Sequence, residues 1–149
     1  MRVIGVDVTA VGLTWIALDG TDEICTIHVL APSKLSRPEA EKGDIENLLA
    51  LQANVVSALS NANADFIAVI MATADCSVAR VKNETMIQLA AKQLALDCVL
   101  VPPQSVSAAE KRRLEATANP ETRSRIENIN PKYLRRSALA AWCVLNGKR

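Results

Sequence analysis

The chain has 149 residues and a mass of 16.0 kDa, half of its residues are apolar and 22% are charged, a size and composition that suit one globular domain with a sizeable core. No apolar stretch reaches the roughly eighteen residues of a membrane span and the N-terminus alternates like a strand instead of carrying a signal peptide's charged start, so the expectation is a single soluble, cytoplasmic domain over residues 1–149. The net charge of +1 hides a division: residues 1–110 hold 7 Lys and Arg against 13 Asp and Glu, a net of −6, while residues 111–149 hold 10 against 3, a net of +7, so the C-terminal part is either a solvated face that pairs with the acidic part or a surface for a polyanion.

Residues 2–8, Arg-Val-Ile-Gly-Val-Asp-Val, are β-branched and apolar on both faces, the pattern of a central strand covered on both sides. One carboxylate, Asp7, stands at its end. Residues 12–18 and 23–30 read as second and third strands, with "DGTDE" turning the chain through Asp19 and Gly20, so the chain opens as an antiparallel meander. "APSKLSRPEAEKGD" has two prolines, a glycine and mixed charge, and reads as a loop that ends at Asp44, a helix N-cap. Behind it Ile45, Leu48, Leu49, Val55, Val56 and Leu59 mark the apolar face of a first helix. "NANAD" breaks that helix, and "FIAVIMA" at 66–72 is a fourth strand.

"ETMIQLAAKQLALD" places Ile87, Ala90, Ala91 and Leu94 on one helical stripe of mostly small residues, suited to close packing on a sheet. "CVLV" at 98–101 is a fifth strand stopped by Pro102 and Pro103. Ser107 and Glu110 have capping-box spacing at the head of a short basic helix. Pro120 and Pro131 bracket a segment without a clear pattern, and Pro131 opens a last helix, Lys132 to Asn146, stopped by Gly147. Its apolar face is Leu134, Ala138, Ala141, Trp142 and Leu145.

Cys25, Cys76, Cys98 and Cys143 form no C-x-x-C pair and sit among apolar neighbours, which favours core packing over metal or redox roles. The one histidine, His28, makes neither a zinc site nor a Ser-His or Cys-His pair with a second histidine.

The order of three strands, helix, strand, helix, strand, helix, with an acid in the first strand, resembles the ribonuclease H-like fold and, within it, the RuvC-type Holliday-junction resolvases. The resemblance rests on "IGVDVT", "DFIAVIMA", "VPPQSVSAAEKRR" and "LRRSALAAW". It implies an α/β fold with a five-stranded mixed sheet, three antiparallel strands first and then two parallel, and helices on both faces. It also implies two-metal phosphodiester hydrolysis, in which three or four carboxylates hold two Mg²⁺ about 4 Å apart. Asp7 matches the first-strand acid. The position of the family's fourth-strand glutamate falls on Met71, with Ile70 as the neighbouring choice, and the last-helix pair of acids falls on Leu134 and Ser137. Arg135 and Arg136 lie between those two, so either arginine can neutralise Asp7 where the family uses metal.

The first functional expectation is therefore a non-catalytic, RuvC-like nucleic-acid-binding or scaffolding protein without a cofactor. Its binding residues are Lys111, Arg112, Arg113, Arg123, Arg125, Lys132, Arg135 and Arg136. Aromatic residues make up only 3% of the chain, which argues against stacking on single strands. The alternative is a divergent Mg²⁺-dependent nuclease in which Asp7 works with a displaced acid such as Asp75, joined by Glu84. A third reading, "GVDVTAVG" as the phosphate loop of an actin- or sugar-kinase-like ATPase, needs two domains where the length holds one. A fourth is a purely structural subunit, and the resemblance allows a homodimer.

Overall fold

The computed structural model describes residues 1–21, 25–28, 34–36, 44–109 and 119–147. Two long strands, β1 (Arg2–Thr9) and β2 (Gly12–Gly20), form an antiparallel hairpin in which Asp7 faces Thr14 across the ladder. Two short strands share the outer edge of β2: β3 (Cys25–His28) pairs with Ala17–Gly20 and β4 (Lys34–Ser36) with Gly12–Thr14. On the other side of β1, β5 (Phe66–Ile70) and β6 (Asp97–Val101) add in parallel, which gives the order β3-β2-β1-β5-β6. The expected meander followed by two parallel strands is present. The segment read as an uninterrupted loop differs in that its residues 34–36 form β4; three residues are too few to show alternation, and β2 supplies their ladder.

Period-2 alternation splits the strands between two cores. Ile4, Val6, Val8, Leu13, Trp15 and Ala17 face α1 (Asp44–Ala62) and α2 (Val78–Gln93), whereas Val3, Ile16 and Leu18 face α5 (Leu134–Leu145). Two shorter helices, α3 (Pro103–Ala108) and α4 (Pro120–Glu127), pack on the α5 side. The side chains of α5 from Ser137 to Val144 are all buried, and the helix lies so near β1 that only a residue without a β-carbon fits at position 5.

Several helix boundaries and faces differ from the sequence reading. Helix α2 starts six residues before Glu84, at Val78, because the Ser77 side chain accepts the backbone N–H of Arg80 at 3.2 Å and caps it there. Ser107 lies inside α3 instead of capping a later helix, since Pro102 and Pro103 start the turn upstream; Glu110 lies outside the described residues. The segment between Pro120 and Pro131 contains α4, capped by Asn119, whose Oδ1 accepts the Glu121 N–H at 2.8 Å. On α1, Ile45 and Leu49 point to solvent, and the core takes Leu48, Leu51, Val55, Leu59 and Ala62.

Candidate functional site

Asp7 stands near the C-terminal end of β1 on the face covered by α5. There Arg136 reaches it: its Nε donates to Asp7 Oδ2 at 3.2 Å, with the carboxylate 21% exposed and the guanidinium half exposed. The next residue on the helix, Ser137, is fully buried and donates its hydroxyl to the Thr14 carbonyl at 3.1 Å, with its Oγ also 3.3 Å from Thr14 Oγ1. One turn of α5 thus delivers a cation to Asp7 and a hydroxyl to the residue paired with Asp7 in the hairpin. Leu134, at the other position where the resemblance implies an acid, is buried in the α5 core.

The end of β5 is built differently. Ile70 is buried and Met71 half-exposed. A carboxylate does reach this strand end, but from α2: Glu84 Oε2 accepts the Ala72 N–H at 2.9 Å and an Arg80 N–H at 3.0 Å, while its Oε1 accepts from Gln88 at 3.3 Å. Arg80 also donates to the Ile70 carbonyl at 2.9 Å. Four residues apart on one helix and both largely buried, Arg80 and Glu84 tie the start of α2 to the end of β5. Next to Glu84, Asn83 donates to the carbonyls of Thr9 and Ala10 at 2.9 and 3.2 Å, which fixes the β1–β2 turn. In the connection between β5 and α2, hydrogen bonds from Thr73, through its hydroxyl and its N–H, lower the Cys76 thiol pKa.

A pair of Mg²⁺ ions needs several anionic oxygens converging on one point, and these residues do not fit that group. Asp7 is engaged by Arg136, Glu84 is engaged by Arg80, and Asp75 sits exposed in the turn after β5. Among the described residues no three His, Cys, Asp or Glu side chains gather as a metal-binding cluster, so Asp7, Asp75 and Glu84 are not assembled as the ligand set of the nuclease alternative.

The basic residues have varied placements. Arg123 pairs with Glu127 at 3.0 Å and Arg125 with Glu121 at 2.5 Å, each within α4. Arg135 donates to the Glu127 carbonyl, which links α5 to α4, and Lys132 is exposed. Lys111, Arg112 and Arg113 lie outside the described residues.

This architecture has solved counterparts along its whole length. Thermus thermophilus RuvC superimposes with a TM-score of 0.70 at 16% identity, over 99% of this chain and 98% of that one. The same protein in complex with Holliday-junction substrate gives 0.69 at 13% identity, over 99% and 95%. The fold is that of the RuvC-like, ribonuclease H-like resolvases. Fowlpox virus resolvase in a complex with Holliday-junction DNA is a further RuvC-like counterpart, with a TM-score of 0.57 at 12% identity over 97% of this chain and 99% of that one. No protein-family profile and no curated protein matches the sequence.

Sequence reasoning missed Thr14 and Arg80, and it treated Glu84 only as a spare ligand. The spacing of Arg80 and Glu84 was a readable signal, because i,i+4 partners share a helix face. Thr14 had none, since its role depends on the hairpin register and on how α5 is set over it.

Proposed function

We propose that this chain is a non-catalytic RuvC-like protein that binds branched or duplex DNA as a homodimer in the cytoplasm. The observation that carries the reading is the Arg136–Asp7 pair. A guanidinium on Oδ2 supplies the positive charge that a carboxylate at the end of β1 would otherwise take from a metal ion. The buried Ser137 hydroxyl, spent on the Thr14 carbonyl, offers no anionic oxygen beside it. With half of the Arg136 side chain in solvent, the pair contributes only about 0.5 kcal/mol to stability, so its importance is to the charge of the site.

Support for DNA as the ligand comes from two counterparts of the same fold, which are solved with Holliday-junction DNA, and from the net +7 of residues 111–149. Such contacts go to phosphates, so binding is indifferent to sequence and weakens steeply with salt. Gel-shift titrations of a four-way junction, a duplex and a single strand at low and physiological salt test this. The expected result is retention of junction and duplex at low salt that is lost as salt rises, without cleavage; no retention of any of the three at low salt rejects the reading.

A further inference from the structure

Where β3 meets α4, the protein carries a cavity with features of a different kind. It has a volume of about 440 Å³ and is lined by Ile16, Thr26, Ile27, Arg125, Ile129 and Asn130. Its floor is aliphatic: Ile16 is fully buried, Ile129 nearly so, and Ile27 half-buried against the α5-side core. Its rim is polar. Thr26 and Asn130 are exposed, and their side chains make no hydrogen bond among the described residues. Arg125, in the last turn of α4, has a side chain 45% exposed and meets Glu121, whose side chain is 71% exposed. Among the described residues no acidic side chain lines the cavity itself.

We infer that this β3–α4 cavity binds a small amphipathic carboxylic acid, its apolar body on the three isoleucines and its carboxylate on Arg125. The volume falls in the range of about 300–1,000 Å³ typical of small-molecule sites, which join an apolar lining to a few fixed polar groups. Charge selects the acid. The ionised group among the lining residues is a guanidinium, whose planar fork fits a carboxylate. Glu121 does not stand in the way, because a pair this exposed contributes little to stability and a ligand carboxylate can take its place. Thr26 and Asn130 add a hydroxyl and a carboxamide at the rim. A nucleic-acid strand is a poor match, since one cation does not follow a phosphate backbone and the aliphatic floor offers no ring for a base. The inference therefore stands apart from the DNA-binding reading.

Heteronuclear NMR titration of the full chain with octanoate tests the cavity, with octanol and octylamine as chain-matched controls and circular-dichroism melting to confirm that each variant folds. Octanoate is expected to shift the amides of Thr26, Ile27, Ile129 and Asn130 saturably. It binds about tenfold more tightly than either control, the effect of one charge-assisted hydrogen bond. Arg125→Met brings octanoate down to the level of octanol, and Glu121→Gln tightens it about threefold by removing the competing carboxylate. Thr26→Trp, at an exposed strand position that accepts an aromatic ring, covers the mouth and weakens octanoate about tenfold. Shifts that do not saturate or that fall elsewhere overturn the inference, as does octanol binding as tightly as octanoate. An octanoate constant unchanged in Arg125→Met or in Thr26→Trp overturns it too.

Discussion

A β-carbon on Gly5 would lie 1.7 Å from the carbonyl oxygen of Ser137 and 2.9 Å from the backbone nitrogen of Ala141. Helix α5 thus rests on the backbone of β1, and this approach brings Arg136 within reach of Asp7. The atoms in the way are backbone, so nothing short of moving the helix relieves the clash. Gly5→Ala is expected to lower stability by about 3 kcal/mol, at the upper end of overpacking costs, as read from denaturant unfolding. A loss below about 0.5 kcal/mol, within the range of ordinary surface substitutions, would show that the helix is not held this closely.

The Arg80–Glu84 pair allows a sharper experiment than its surface counterparts in α4, because both of its side chains are largely buried. Removing the cation strands a carboxylate against the end of β5. Arg80→Met is expected to cost about 3 kcal/mol. Glu84→Gln costs less, since the amide oxygen still accepts the Ala72 N–H. The double variant recovers part of the Arg80→Met loss, and a thermodynamic cycle from urea melts reads the coupling. Additive losses would mean that the two side chains act independently.

The strands and their cover on both faces were legible because residues 2–8 are apolar on both faces of β1: Ile4, Val6 and Val8 go to one core and Val3 to the other. The start of α2 was not, since Val78 and Val81 are apolar yet exposed and give no inward stripe to read. Ile45 and Leu49 misled for the same reason, as apolar residues at helical spacing that face outward. At the site, an arginine of the last helix against Asp7 was foreseeable from the pattern "LRRSALAAW". Which arginine makes the contact depends on the rotation of α5 over Gly5, and that rotation turns Arg135 to the Glu127 carbonyl. The path of Glu84 to the end of β5 needed the third dimension, because twelve residues separate it from its Ala72 partner.

Cysteine chemistry provides a check on local environments. Burial, with the charge of Glu84 adding to it, pushes the Cys98 thiol from its ordinary value of 9.0 up to about 11. A thiol with a raised folded pKa contributes stability that is whole below 9.0 and is lost as the pH climbs through about 11. Stability should therefore fall across that window, and fall less in Cys98→Ala, in denaturant melts at stepped pH. Cys76 is shifted the other way by its hydrogen bonds from Thr73, so iodoacetamide at pH 8 should modify it ahead of Cys98 and the buried Cys143. Peptide mapping that finds Cys98 or Cys143 modified first would contradict this assignment.

The central claim is that Arg136 neutralises Asp7 in place of metal, so that the protein holds DNA without cutting it. The most direct measurement is a labelled four-way junction incubated with the wild type and with Asp7→Asn in Mg²⁺ and in Mn²⁺, with bound and cleaved DNA resolved in parallel. The account predicts a retained, intact junction with both proteins and both ions. Junction cleavage by the wild type that Asp7→Asn abolishes would contradict it.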